Sequence, residues 1–225
     1  IMVFEKKDRY NISDLLKIME LLRSENGCPW DKVQTHESIR KNFIEETYEV
    51  IEAIDNNDIP LMREELGDVL LQVVFHARME EEIGNFTFDD VVDELCAKLV
   101  LRHPHVFGEV NANNEDEALA SWDKAKKESK KQSDSETLVA VSKALPALMR
   151  ADKVGSRASK VGYDFFDAKS ALEKLKSEIV ELEEVLDKPE AEEEMGDVLF
   201  SAVNVARKLK LDSELILGAA TDKFI

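Results

Sequence analysis

Two stretches of this chain carry glutamates and aspartates at spacings that can gather a cation. In the first, Glu45-Glu46-Thr47-Tyr48-Glu49 is followed, beyond Asn56-Asn57-Asp58-Ile59-Pro60, by Glu64-Glu65-Leu66-Gly67-Asp68-Val69-Leu70. In the second, Glu178-Ile179-Val180-Glu181 is followed, beyond Lys188-Pro189, by Glu193-Glu194-Met195-Gly196-Asp197-Val198-Leu199. Side chains three apart share a helical face. Each stretch therefore predicts two acid pairs aimed from facing helices at one point, Glu46/Glu49 with Glu65/Asp68 and Glu178/Glu181 with Glu194/Asp197. On a helix turning about 100° per residue, every pair flanks a seam residue, Thr47, Leu66, Ile179 or Met195, rather than facing straight outward. Four carboxylates at the rim of a dry core lose hydration and repel one another, and a divalent cation relieves both. The all-oxygen set suits Mg²⁺, or Mn²⁺ in its place, over zinc or copper.

A single Glu-x-x-Glu on a helix is ordinarily a solvated face. Here matched pairs occur twice, and Gly67 and Gly196 stand mid-helix inside the second pair each time, at a cost of about 1 kcal/mol relative to alanine. That cost predicts a close backbone approach at both glycines, for a ligand or for tight helix packing.

Apolar periodicity places the acids on helices. Leu172, Leu175, Ile179, Leu182 and Leu186 step by three and four, as do Met195, Leu199, Ala202, Ala206 and Leu209, and Lys188-Pro189 folds them into an antiparallel hairpin. Phe43, Thr47, Val50 and Ile54, then Leu66, Leu70, Val73 and Ala77 past Pro60, predict the same hairpin earlier. The two are copies. Glu65, Gly67, Asp68, Ala77 and Arg78 return 129 residues later, and Glu46 and Glu49 return after 132, so the slip falls in the connecting loop, where insertions are tolerated. Helices are also predicted at Ile12 to Leu22 and at Phe88 to Leu101, the latter entered through Asp89 and Asp90. Sustained alternation of apolar and polar residues is missing. The expected fold class is all-α, a tandem repeat of two helical-bundle domains at 11–110 and 138–225. Residues 111–137 join them as a helix around Leu119 and Trp122 followed by a flexible stretch.

With 225 residues, 44% of them hydrophobic, the chain can bury a core without staples. A net charge of −18, from 48 acids against 30 bases, argues against a nucleic-acid polymer as partner, since sequence-independent binding needs a basic footprint. A small anion carried in with a divalent metal stays open. Cys28 and Cys96 form no zinc-type cluster and read as packed single thiols in a reducing compartment. No apolar run approaches the roughly 20 residues of a membrane span, and Ile1 to Tyr10 is charged, unlike a signal peptide. The expectation is a cytoplasmic protein with no membrane partner.

Taken together, Glu-Glu-x-x-Glu, a spacer and Glu-x-x-Asp resemble the MazG nucleoside triphosphate pyrophosphohydrolases, in their two-domain form, of the all-α NTP pyrophosphatase superfamily. Supporting stretches are Glu25-Asn26-Gly27-Cys28-Pro29-Trp30-Asp31 with Gln34-Thr35, Leu101-Arg102-His103-Pro104-His105-Val106-Phe107, Leu145-Pro146-Ala147-Leu148-Met149-Arg150-Ala151 and Val161-Gly162-Tyr163-Asp164. The resemblance covers nearly the whole chain from Ile12. It implies Mg-dependent cleavage of nucleoside triphosphates between the α and β phosphates, with broad base tolerance and a role in clearing surplus or aberrant nucleotides. It makes Glu46, Glu49, Glu65 and Asp68 one metal-binding set and Glu178, Glu181, Glu194 and Asp197 the other. Glu45 is the spare carboxylate that would activate water in the first set. Ser177 stands at the matching place in the second and leaves its general base open.

Family members also clamp phosphate with basic side chains on the last helix of the bundle. Lys98 and Arg102, four apart on one face, match that pattern in the first half. Lys223 matches it in the second, whose arginine counterpart falls past Ile225, so that domain is expected to be truncated at its C-terminus. Trp30 and Tyr163 precede the two cassettes in related positions and either stack on a nucleobase, at roughly 1 to 3 kcal/mol, or pin the first helix from the core. Trp122 reads as packing, His103 and His105 as capping residues, and His36 and His76 as ordinary. The family further implies a homodimer. Two other classes compete: a di-iron carboxylate bundle, which expects a Glu-x-x-His pair that neither cassette has, and a non-catalytic dimerisation module whose acids merely solvate helical faces.

Overall fold

Capping residues decide where the helices begin. In the computed structural model, which describes residues 4–130 and 134–225, Asn11 caps α1 (Ile12–Arg23) and Thr35 caps α2 (His36–Asp55), each exchanging hydrogen bonds with the third residue of its helix. Asp58 accepts from the Leu61 backbone to start α3 (Ile59–Glu82), with Pro60 in the first turn where a missing N–H costs nothing. Thr87 and Asp90 cap α4 (Phe88–Arg102), which the short α5 (Pro104–Phe107) follows. Then come α6 (Glu115–Lys130), α7 (Asp134–Val139) and α8 (Ala147–Ser159). Asp167 with Ser170 caps α9 (Ala168–Val185), α10 (Ala191–Lys208) starts two residues past Pro189, and Asp212 caps α11 (Ser213–Phe224). Among the described residues the fold is all-α.

The chain divides into two units, Ile1–Lys126 and Lys127–Ile225, so the change of unit falls inside the joining segment. α6 spans Leu119 and Trp122. Of the stretch expected to be flexible, residues 131–133 lie outside the described residues. In the first unit α2 and α3 form the hairpin, and a core of Met19, Ile39, Val74, Phe75 and Met79 binds α1 and the start of α2 to the far half of α3. In the second unit α9 and α10 form the hairpin, and Ala171, Val203 and Ala206 are buried there.

Three expectations fail here. First, the hairpin seams are only partly dry: Leu66, Leu70, Ile179, Met195, Leu199 and Leu209 are exposed in the single chain, and Ala202 is exposed while its neighbours Ser201 and Val203 are buried. α10 turns the Val203/Ala206 face inward, which a period of three and four cannot single out from the adjacent face. Second, of the two causes offered for Gly67 and Gly196, tight helix packing fails, since no atom of the chain comes within 4 Å of a Cβ built at either. The mid-helix glycine that is crowded is Gly155 in α8, where a Cβ would meet Asn204 Oδ1 at 2.8 Å and Arg207 Nε at 2.9 Å. Third, Cys96 is exposed rather than packed.

Candidate metal centres

The α2–α3 hairpin brings its acids level because both helices run away from one turn. Glu49 lies six residues before the end of α2 and Glu65 six after the start of α3; Glu46 and Asp68 are each nine from those points. One carboxylate oxygen each from Glu46, Glu49 and Glu65 lies within 4.8 Å of the others, and Asp68 stands outside that set. Glu65 is only 9% exposed. Burial, then the facing charge of Asp68, then Glu49 holds the Glu46 carboxyl above the usual range. Burial, then the charge of Glu49 and a hydrogen bond with it, does the same to Glu65. Among the described residues no ion pair reaches any of these four acids. Glu45 beside them is paired with Lys41 at 2.7 Å.

The α9–α10 hairpin repeats the arrangement with a change of charge. Glu178, Glu181 and Glu194 again place an oxygen each within 4.8 Å of one another, with Asp197 outside the set. Glu178 is 5% exposed. Burial, then the charges of Glu181 and Asp197, raises the Glu194 carboxyl. Here, however, Lys174 Nζ lies 2.7 Å from Glu178 Oε1 and 3.8 Å from Glu181 Oε1. The Glu178 hydrogen bond holds this ammonium's pKa above its ordinary value. Ser177 Oγ donates to Glu181 Oε1 at 2.9 Å.

Lys98 and Lys223 are exposed on α4 and α11. Arg102 is engaged by α6: its guanidinium lies over the Trp122 ring, 5.6 Å from the centroid, while Lys126 lies over the same ring at 4.5 Å. Arg102 Nε is buried with no hydrogen-bond partner among the described residues. Trp30 and Tyr163 are 56% and 82% exposed, which rules out the core-pinning reading of both. His103 Nδ1 hydrogen-bonds the Leu99 carbonyl at 2.6 Å and so caps α4.

Two features escaped the sequence reading. Lys174 stands four residues before Glu178, a spacing that forms ion pairs on helices and was available as a signal. His36 and His76 stack with ring centroids 4.9 Å apart and share an Nδ1–Nδ1 hydrogen bond of 2.6 Å, while His36 Nε2 donates to Glu80 at 2.6 Å. Burial, then the charge of His36, lowers the pKa of His76. Nothing in the sequence joins residues 36 and 76; only the hairpin does.

Fold and donor chemistry define a class: a duplicated all-α scaffold in which each helical hairpin gathers carboxylate oxygens, a donor set of the kind that suits a hard divalent cation. A family model, the MazG nucleotide pyrophosphohydrolase domain, matches residues 34–107, which contain the whole first cluster. The nucleoside triphosphate pyrophosphohydrolase/pyrophosphatase MazG of Thermotoga maritima is 46% identical over 94% of this chain and 82% of its own length. A nucleoside triphosphate pyrophosphohydrolase of Escherichia coli K12 is 44% identical over 95% of this chain and 84% of its own length. The uncharacterized protein YabN of Bacillus subtilis is 46% identical over 98% of this chain and 46% of its own length. This chain belongs to the MazG nucleotide pyrophosphohydrolase family.

Proposed function

We propose that the protein hydrolyses nucleoside triphosphates between the α and β phosphates, releasing nucleoside monophosphate and pyrophosphate. The observation that carries this reading is the twice-built cluster of three carboxylates within 4.8 Å, one of them buried in each case, in a chain of this family. The residues fit Mg²⁺, with Mn²⁺ as a substitute: the donors are all oxygen, and in the first cluster burial, then the charges of the facing acids, pushes two carboxyls up, a cost that a bound cation would relieve. Glu46, Glu49, Glu65 and Asp68 would hold one site, and Glu178, Glu181, Glu194 and Asp197 the other. The bound ion would neutralise charge on the phosphates as the anhydride breaks.

The chain's own groups do the rest. Glu45, exposed beside the first cluster, accepts a proton at its carboxylate from the attacking water. Lys98, Arg102 and Lys223 hold phosphate oxygens, and Arg102 is preset for this by the Trp122 ring beneath it. Trp30 and Tyr163 offer exposed aromatic faces that stack on any base, which supports broad base tolerance. That tolerance suits clearing of surplus or aberrant nucleotides from the cytoplasmic pool; among the described residues no helix is long and apolar enough to cross a membrane. The exposed apolar residues Ile44, Leu66 and Leu70, with Leu95, Leu99 and Leu101 on α4, support a homodimer. A panel of nucleoside triphosphates assayed for pyrophosphate with and without EDTA tests the reading. Release from several bases, abolished by EDTA, is expected; a folded protein that turns over none of them leaves only the non-catalytic dimerisation module.

A further inference from the structure

We infer that Lys174 is the resident cation of the second cluster, so that this cluster binds a divalent ion more weakly than the first until a nucleotide arrives with it. The inference rests on the metal reading above. Lys174 Nζ lies 2.7 Å from Glu178 Oε1 and 3.8 Å from Glu181 Oε1, and these are two of the three residues that each offer an oxygen to the cluster. Its counterpart in the first hairpin, 132 residues earlier, is the uncharged Asn42. The nearest lysine in that hairpin's cassette, Lys41, is paired with the spare Glu45 and with none of the four ligand candidates. An incoming ion has therefore to displace an ammonium from carboxylates it needs in one cluster and not in the other.

The displaced ammonium gains more from an anion than from water alone. Lys174 sits on a flexible stem with its side chain 47% exposed, so it can leave the carboxylates without moving the helix. A triphosphate arriving with the metal offers it phosphate oxygens, which bare Mg²⁺ does not. Occupancy of the second cluster is thus coupled to nucleotide through one side chain, and occupancy of the first is not.

The test measures Mn²⁺ binding by the loss of the free-ion electron paramagnetic resonance signal, without nucleotide, in the full chain. Asp197→Asn reports the first cluster and Asp68→Asn the second. The first should bind more tightly, by about five- to tenfold for one partly screened ion pair. Lys174→Gln in the Asp68→Asn background should recover most of that factor, and Asn42→Lys in the Asp197→Asn background should lose it. A non-hydrolysable triphosphate should tighten Mn²⁺ at the second cluster, and less so once Lys174 is replaced. Equal affinities in the two reporters, unchanged by Lys174→Gln or Asn42→Lys, overturn the inference and leave the metal reading standing. No Mn²⁺ bound by either reporter while both keep their circular dichroism overturns the metal reading and this inference with it.

Discussion

The two hairpins carry the same acids on the same helical faces and differ in how the charge is met. In the first, Glu46, Glu49, Glu65 and Asp68 have no ion pair among the described residues, and burial, then the charges of the facing acids, holds two carboxyls above their usual range. In the second, Lys174 reaches two of the acids and Ser177 stands in place of the spare Glu45, while burial, then the charges of Glu181 and Asp197, raises Glu194. The two copies share the geometry of the acids while single differences beside them change the electrostatics. Metal affinity and catalytic equipment can diverge between copies without any change in the ligands themselves.

The largest expected effect is on turnover. Asp68→Asn with Asp197→Asn should lower pyrophosphate release by at least about a hundredfold, since losing a metal site removes several kcal/mol of transition-state stabilisation. The single variants should lose unequal shares; two equal halves in steady-state assays would break the comparison. Next comes the thermal shift with saturating Mg²⁺. The raised carboxyls of Glu46, Glu65 and Glu194 favour the folded chain while protonated. Their contribution is complete below the ordinary value of 4.5 and is lost as pH rises through the raised ones. Mg²⁺ replaces those protons, so the gain in Tm should grow from about pH 5 to about pH 8. It should be larger in Asp197→Asn than in Asp68→Asn.

Metal-free stability gives the two clusters opposite signs. Glu65→Gln relieves repulsion and should raise Tm near neutral pH, whereas Glu178→Gln strands Lys174 beside Glu181 and should lower it. Matching signs in a thermal melt would remove the electrostatic distinction. A smaller effect is expected at Asp164, which Arg207 and Lys208 hold at a pKa of about 2. A depressed carboxyl contributes stability above its ordinary value, here 3.8, and loses it as pH falls through the folded one. Asp164→Asn should therefore cost on the order of 1 kcal/mol near neutral pH, after allowance for solvent screening. Chemical denaturation should show that difference shrinking toward pH 2. The smallest effect separates the glycines: Gly67→Ala and Gly196→Ala should each stabilise the chain by up to about 1 kcal/mol, because nothing obstructs a methyl there, while Gly155→Ala should destabilise it.

The elements were legible because helix periodicity and capping are local. Ile12 to Leu22 predicts α1 to within a residue, and Asp89 with Asp90 marks the first turn of α4. The acid clusters were legible for the same reason, since spacings of three within helices and a short turn between them leave little freedom in where Glu46, Glu49 and Glu65 can meet. What was hidden depends on tertiary contact. Ala202 and Val203 are both apolar, and only the tertiary packing of α10 selects Val203 for burial. The cost of Gly67 and Gly196 could be read from sequence but its cause could not, and the open space beside both removes close packing within the chain as that cause. The bond between His36 and His76 and the Asp164 pairs with Arg207 and Lys208 join residues 40 or more apart in the chain. Lys174 is the instructive miss: its spacing to Glu178 was visible, but its consequence follows only from seeing that both contact the same cluster.

The most direct test follows the products of ATP by ³¹P nuclear magnetic resonance with Mg²⁺ present, for the natural chain and for Asp68→Asn/Asp197→Asn. The account predicts AMP and pyrophosphate from the first and intact ATP from the second. Release of ADP and inorganic phosphate, or equal pyrophosphate from both proteins, would contradict it.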